Sequence, residues 1–236
     1  METILLTFVA SFALQLSFFF FAALLKTDKV TDLSYALTFL ALAWLVFFVE
    51  QQALLLALAV TLWAVRLGGY LFLRILHMKR DKRFDGIREN FWRFAKFWFL
   101  QALAVWLILL PVTIGLTVGK ILYLGFLIWA LGFVLETVAD HQKYTFKKRH
   151  PGKLVTVGLW KHGRHPNYFG ELLCWWGLFI AVLPSLSGWL YLSVLGPLFL
   201  TVLLLFVTGI PTIEQSHRKH YGKEYESYRK RTRLFI

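Results

Sequence analysis

The chain has 236 residues, 58% of them hydrophobic and 18% aromatic, yet it carries a formal net charge of +13. A water-soluble domain of this length closes its core without so much Leu, Phe and Trp, so composition argues against a soluble globular class. The single cysteine, Cys174, excludes an intrachain disulfide and any cysteine-built zinc or iron–sulfur centre.

Crossing a bilayer takes about 20 apolar residues per helix. Blocks of that kind recur at 4–25, 33–49, 53–76, 97–118, 120–139, 168–186 and 189–209. The expected fold is all-α, a polytopic membrane bundle of about seven transmembrane helices. The first block lacks a basic flank and a small-residue cleavage site, so it is expected to be a retained span. Asp32 opens span two. Arg66 lies in the middle of span three; at ~1.5 Å rise per residue its Cα is expected on the order of 15 Å deep. A water-filled cavity or an anionic partner then has to serve it. Pro111 with Gly115 and Pro197 are expected to bend spans four and seven, which membrane helices tolerate. Trp92, Trp98, Trp175, Trp176 and Trp189 sit near span ends and are expected to form interface belts.

The linkers after spans one, three and five are polar, as is the segment after span seven. Lys and Arg number 2 in 26–32 and 7 each in 77–96, 140–167 and 211–236, which is 23 of the 26. The positive-inside rule places these segments in the cytoplasm and the N-terminus outside. Anionic lipid headgroups account for many of these cations, at about 1 kcal/mol each near the surface.

Ionisable residues within spans are functional candidates, because hydrocarbon penalises them. Glu136 and Asp140 stand at i and i+4 near the cytoplasmic end of span five and share a helix face. Lys143 and Lys147 continue that face. Glu171 lies at similar depth on span six. One reading is a structural ion-pair network with nearby arginines. The other is a polar cavity open to the cytoplasm, lined by carboxylates and crowned by cations. Histidines occur at 141, 150, 162 and 165, but Pro166 disfavours helical geometry at His165 and no H-E-x-x-H pattern occurs, so no metal is expected. No glycine-rich nucleotide loop is present either, so any nucleotide must be held by the bundle itself.

The segment Gly158-Leu159-Trp160 through Arg164-His165-Pro166-Asn167-Tyr168-Phe169-Gly170-Glu171, followed by Trp175-Trp176-Gly177, resembles the C-terminal domain of the steroid 5-alpha-reductase family, and its bacterial branch most of all. Phe133, Glu136, Asp140, Gln142, Phe146 and Lys147 upstream are similar to the family's preceding block. Gly209-Ile210-Pro211, Glu214, Tyr225, Tyr228 and Thr232 resemble its tail. The resemblance covers roughly 120–236; over 1–119 it is carried by Asp32 with Tyr35 and the Arg66 span. R-H-P-x-Y also occurs in integral-membrane isoprenylcysteine carboxyl methyltransferases.

The resemblance implies a seven-helix reductase that binds NADPH in a cytoplasm-facing cavity, with 1–119 as a substrate half and 120–236 as a cofactor half. Carried over by motif, Asp140, Lys143, Lys147, Trp160, Arg164, Asn167, Tyr168, Glu171, Glu214 and Tyr228 would line the cofactor, together with the intramembrane Arg66 and Glu136. Lys and Arg suit phosphates, carboxylates and Asn suit ribose hydroxyls and a carboxamide, and Tyr and Trp offer faces to rings. The family's Gln-Glu pair and substrate-polarising Tyr are replaced here by Asp32 and Trp63. The expected reaction is reduction of a C=C bond conjugated to a carbonyl in a lipophilic substrate (steroid-, sterol-, polyprenyl- or fatty-like), with Asp32 as the acid. No nucleic-acid partner is expected. The rivals are a membrane methyltransferase using S-adenosylmethionine and a non-catalytic membrane scaffold.

Overall fold

The structure, a computed structural model, describes residues 1–77 and 84–236, without the side chains of Leu73, Arg74, Leu76 and His77. The cations of 78–83, part of the basic third linker, therefore lie outside the described residues. Among the described residues, seven helical segments are long and apolar enough to cross a membrane. This is the architecture of an integral membrane protein, because helices satisfy their backbone groups internally where no water can.

The chain divides into two compact units, Met1–Ile121 with Val182–Gly196, and Leu122–Ala181 with Pro197–Ile236. The first unit holds α1 (Glu2–Leu24), α2 (Thr31–Glu50), α3 (Leu54–His77) and α4 (Phe91–Val118). α1 and α4 run antiparallel. Phe8 meets Trp106 at 5.1 Å, Phe12 meets Phe99 at 5.1 Å and Phe19 meets Phe91 at 5.3 Å. Polar contacts join these helices and α2 as well. Ser11 donates to the Ala102 carbonyl at 2.8 Å, and Gln101 donates to the Gln15 carboxamide oxygen at 3.0 Å while Gln15 donates to Thr38 at 2.8 Å. Such bonds join membrane helices because lipid offers no other partner.

α4 starts at Phe91, six residues before the apolar block, because the Asn90 side chain caps it by accepting from the Arg93 amide at 3.0 Å. Pro111 lies inside this helix. The carbonyl it deprives of an i+4 donor is that of Leu107. A Cβ on Gly196 would lie 2.6 Å from that oxygen, so a residue without one lets the backbone close over it. Contacts of this kind attach 182–196 to the first unit. Ser185 adds a bond of 2.5 Å to the Lys120 carbonyl.

Within this unit the linkers sort into two faces. Arg88 pairs with Asp28 at 2.8 Å, which joins the linker after α1 to the one before α4. At the other end Thr3 donates to Glu50 at 2.6 Å, and Gln52 donates to the Thr117 carbonyl at 3.2 Å.

The second unit holds α5 (Tyr123–Arg149), α6 (Pro166–Val182), whose last residue falls in the first unit, α7 (Leu195–Val202), whose first two residues do so too, α8 (Ile210–Tyr221) and α9 (Lys223–Arg231). The seventh span is composite. A 3-10 turn at Gly188–Val194 leads into α7, and a π-helical turn at Leu203–Val207 follows it. α5 and α6 pack antiparallel along a glycine seam. Gly125 and Gly132, seven apart, face Gly177 and Gly170, also seven apart. A Cβ on Gly132 would lie 2.6 Å from the Gly170 carbonyl, and one on Gly170 would lie 2.6 Å from the Glu136 amide. Direct backbone contact fixes the register of the pair.

Candidate functional site

The glycine seam decides which polar groups meet where α5 ends and α6 begins. With Gly170 against Glu136, the next turns of each helix bring Asp140 of α5 to Asn167 of α6, whose side-chain nitrogen donates to the Asp140 carboxylate at 3.3 Å. Glu136 and Asp140 are buried, at 2% and 6% exposure. Glu171 and Tyr168 are half-buried on the same first turns of α6, and Lys143 is half-buried one turn beyond Asp140.

Trp160 closes one side of this cluster. It sits in a 3-10 turn at Gly158–Lys161 and donates from its indole nitrogen to the Ala139 carbonyl at 2.9 Å. The Lys143 ammonium stands 5.0 Å over its ring, a cation–π arrangement. The turn is held from below by Gln142, whose side-chain oxygen accepts from the Leu159 amide at 2.8 Å. Trp160 is therefore a buried wall, at 4% exposure, and not an interface anchor. The same holds for Trp98 and Trp175, both at 2%, whereas Trp92 and Trp189 are exposed as a belt requires.

The remaining predicted residues of the second unit form the frame around the cluster. Arg164 donates from Nε to Glu214 at 2.9 Å and from Nη1 to the Thr232 carbonyl at 2.6 Å. The Tyr228 hydroxyl donates to the Trp160 carbonyl at 2.5 Å, and burial pushes its proton affinity up to about 12. Lys147 donates to the Lys153 carbonyl at 2.6 Å and the Tyr221 hydroxyl at 2.5 Å, tying the linker after α5 to the end of α8. His165, at 2% exposure, stacks on Tyr168 with ring centres 5.8 Å apart. Desolvation lowers its proton affinity despite the adjacent Glu214 carboxylate, which lies 3.4 Å from its Nε2.

Thus the second unit assembles Glu136, Asp140, Lys143, Lys147, Trp160, Arg164, Asn167, Tyr168, Glu171, Glu214 and Tyr228 into one neighbourhood. Asp32 and Arg66 belong to the first unit, both half-buried. His217 of α8 is absent from the sequence-derived set. It packs against Tyr221 and Tyr225 at 5.5 and 5.3 Å, within electrostatic reach of Lys143, His165 and Glu214. Its one signal in the sequence is the i+3 spacing from Glu214, which puts both on one face of α8.

Comparison with known proteins agrees with the motif resemblance to the steroid 5-alpha-reductases. The chain is 31% identical over 116 residues to 3-oxo-5-alpha-steroid 4-dehydrogenase 1 of Mus musculus, covering 48% of this chain and 40% of that protein. It is 30% identical over 116 residues to the Rattus norvegicus protein of the same name, and 28% over 117 residues to the Homo sapiens one, with 39% and 40% of those proteins covered. The similarity therefore spans less than half of each relative. No solved structure matches the chain. A family model described as a protein of unknown function, DUF1295, matches residues 18–232, and the chain belongs to that family.

Proposed function

We propose that the protein is a membrane-embedded, NADPH-dependent reductase of a C=C bond conjugated to a carbonyl in a steroid-like lipophilic substrate. The observation that carries this reading is the Asp140–Asn167 contact at the cytoplasmic end of the glycine seam, with Lys143, Tyr168 and Glu171 around it. Similarity to 3-oxo-5-alpha-steroid 4-dehydrogenases supports the reaction class.

The donor set fits a dinucleotide. Lys143 offers charge to phosphate, Asp140 and Glu171 accept from ribose hydroxyls, Asn167 both donates and accepts as a carboxamide partner requires, and Tyr168 offers a ring face. Lys147, Trp160, Arg164 and Tyr228, already bonded within the protein, keep this set in place. NADPH supplies the hydride when bound. In the first unit, Asp32 is the candidate acid, whose role would be to stabilise the negative charge that develops on the carbonyl oxygen of the substrate. The cofactor enters from the cytoplasm, and the substrate enters from the bilayer.

The test is a thermal-shift titration of detergent-purified protein with NADPH, NADH and S-adenosylmethionine. At a hundredfold excess over Kd, binding stabilises the folded state by about 2.7 kcal/mol, and the expected result is stabilisation by NADPH. Stabilisation by S-adenosylmethionine alone would move the protein to the methyltransferases. Stabilisation by none of the three would favour a scaffold.

A further inference from the structure

We propose that Glu214 is a positioning residue: one buried carboxylate on α8 that clamps the Arg164-His165 segment and thereby sets the direction in which α6 presents Asn167, Tyr168 and Glu171. The inference rests on the cofactor site proposed above and differs from a direct Glu214–cofactor contact.

Four cationic or imidazole groups converge on this carboxylate. Arg164 Nε lies 2.9 Å from Oε1 and His165 Nε2 lies 3.4 Å from the same oxygen. Arg229 Nε lies 3.6 Å and Arg218 Nη2 4.0 Å from Oε2. The members are unequal. The Arg164 and Glu214 side chains are each 12% exposed, whereas Arg218 and Arg229 are 45% and 42% exposed and also pair with Glu226 at 3.1 and 3.8 Å. The part-buried Arg164–Glu214 pair is the core of the group, and both oxygens of Glu214 are directed at protein.

The clamped segment is held from further sides. The Arg164 amide donates to the Arg233 carbonyl at 2.9 Å, the His165 amide donates to the Leu234 carbonyl at 3.1 Å, and Phe169 stacks on Phe235 at 5.3 Å. Pro166 begins α6 directly after the segment. Its fixed φ leaves the helix little freedom relative to His165. A shift of Arg164 and His165 therefore passes into the first turn of α6, where Asn167 meets Asp140 and Tyr168 meets His165.

Two readouts test this: NADPH affinity by calorimetry, and hydrogen exchange without cofactor. In Glu214→Ala the affinity is expected to fall at least tenfold, and the amides of 163–171 to exchange at least tenfold faster while those of α1 and α4 are unchanged. Glu214→Gln keeps an oxygen for Arg164 Nε and is expected to restore both to within threefold. Arg164→Met combined with Glu214→Ala is expected to be no worse than the more damaging single change, as for residues acting through one contact. An affinity loss in Glu214→Gln equal to that in Glu214→Ala would mean direct contact and overturn the proposal. Unchanged exchange at 163–171 in Glu214→Ala would overturn it too. Failure of the wild-type protein to bind NADPH would count against the cofactor reading, while the exchange result would still decide the clamp.

Discussion

At the scale of single residues, the proposed site separates into groups proposed to face the cofactor and groups that hold the frame, and mutation should separate them in turn. Asn167→Ala and Glu171→Ala are expected to weaken NADPH binding at least tenfold while leaving the detergent-extracted protein folded, measured by titration and by thermal unfolding of the same samples. Tyr228→Phe should do the reverse. Its hydroxyl satisfies the buried Trp160 carbonyl, and an orphaned buried acceptor costs about 1–3 kcal/mol. The tyrosine also predicts a pH dependence. It holds its proton to about 12 in the folded protein against 10.0 in the unfolded chain. The stability this confers is complete below pH 10 and is lost as pH rises toward 12. Melting curves from pH 8 to 12 should show an alkaline fall that is shallower in Tyr228→Phe; equal slopes would show that Tyr228 is not its source. The residue types were legible in the chain, since carboxylates at Glu136, Asp140 and Glu171 are costly in a span. Their partners were not. Arg164 and Glu214 stand fifty positions apart, and their contact depends on how α8 returns to the start of α6.

At the scale of elements, the α5–α6 seam aligns the site. Glycines at 125, 132, 170 and 177 are visible in the sequence, but spacing alone does not say which helix each one faces. The close approach supplies that answer, and it makes the seam brittle. Gly170→Leu puts a side chain where even a Cβ lies 2.6 Å from the Glu136 amide. Overpacking typically costs 1–3 kcal/mol, and here backbone must move to relieve it. A drop in melting temperature together with loss of NADPH binding is the expected outcome, whereas Gly69→Leu, with nothing within 4 Å of its Cβ position, should leave both nearly as they were. A Gly170→Leu protein that melts and binds like wild type would remove the seam from the account. Helix ends followed local chemistry in some places and tertiary packing in others. The Asn90 cap extended α4 beyond its apolar block, an arrangement readable from N-cap preference. The π-helical turn at Leu203–Val207 carries no comparable local signal; the sequence there reads as a uniform apolar run.

At the scale of the whole molecule, the cation distribution gives an orientation that labelling can check. In the first unit the Asp28–Arg88 pair joins two of the basic linkers, and in the second Lys147 joins the linker after α5 to α8. Cys174 is the chain's one cysteine and is buried at 1% exposure, so single-cysteine variants report on their own positions. Lys161→Cys and Lys219→Cys are expected to react with a membrane-impermeant maleimide only in inside-out vesicles, and Lys120→Cys only in right-side-out ones. The opposite pattern would reverse the assigned topology and place the proposed cofactor site outside the cell.

The sequence by itself determined how many times the chain can cross a membrane and which segments are basic. Transfer free energy and the charge bias are summed residue by residue along the chain, so no knowledge of contacts is needed to read them. It also marked the residues too polar for their surroundings. Only the tertiary structure decided that residues 182–196 pack with the first unit, that Trp160 is a wall, and that Glu214 faces Arg164 and His165. Those outcomes depend on backbones approaching at a handful of glycines and on pairs of charges from distant parts of the chain being desolvated together, which no local pattern records.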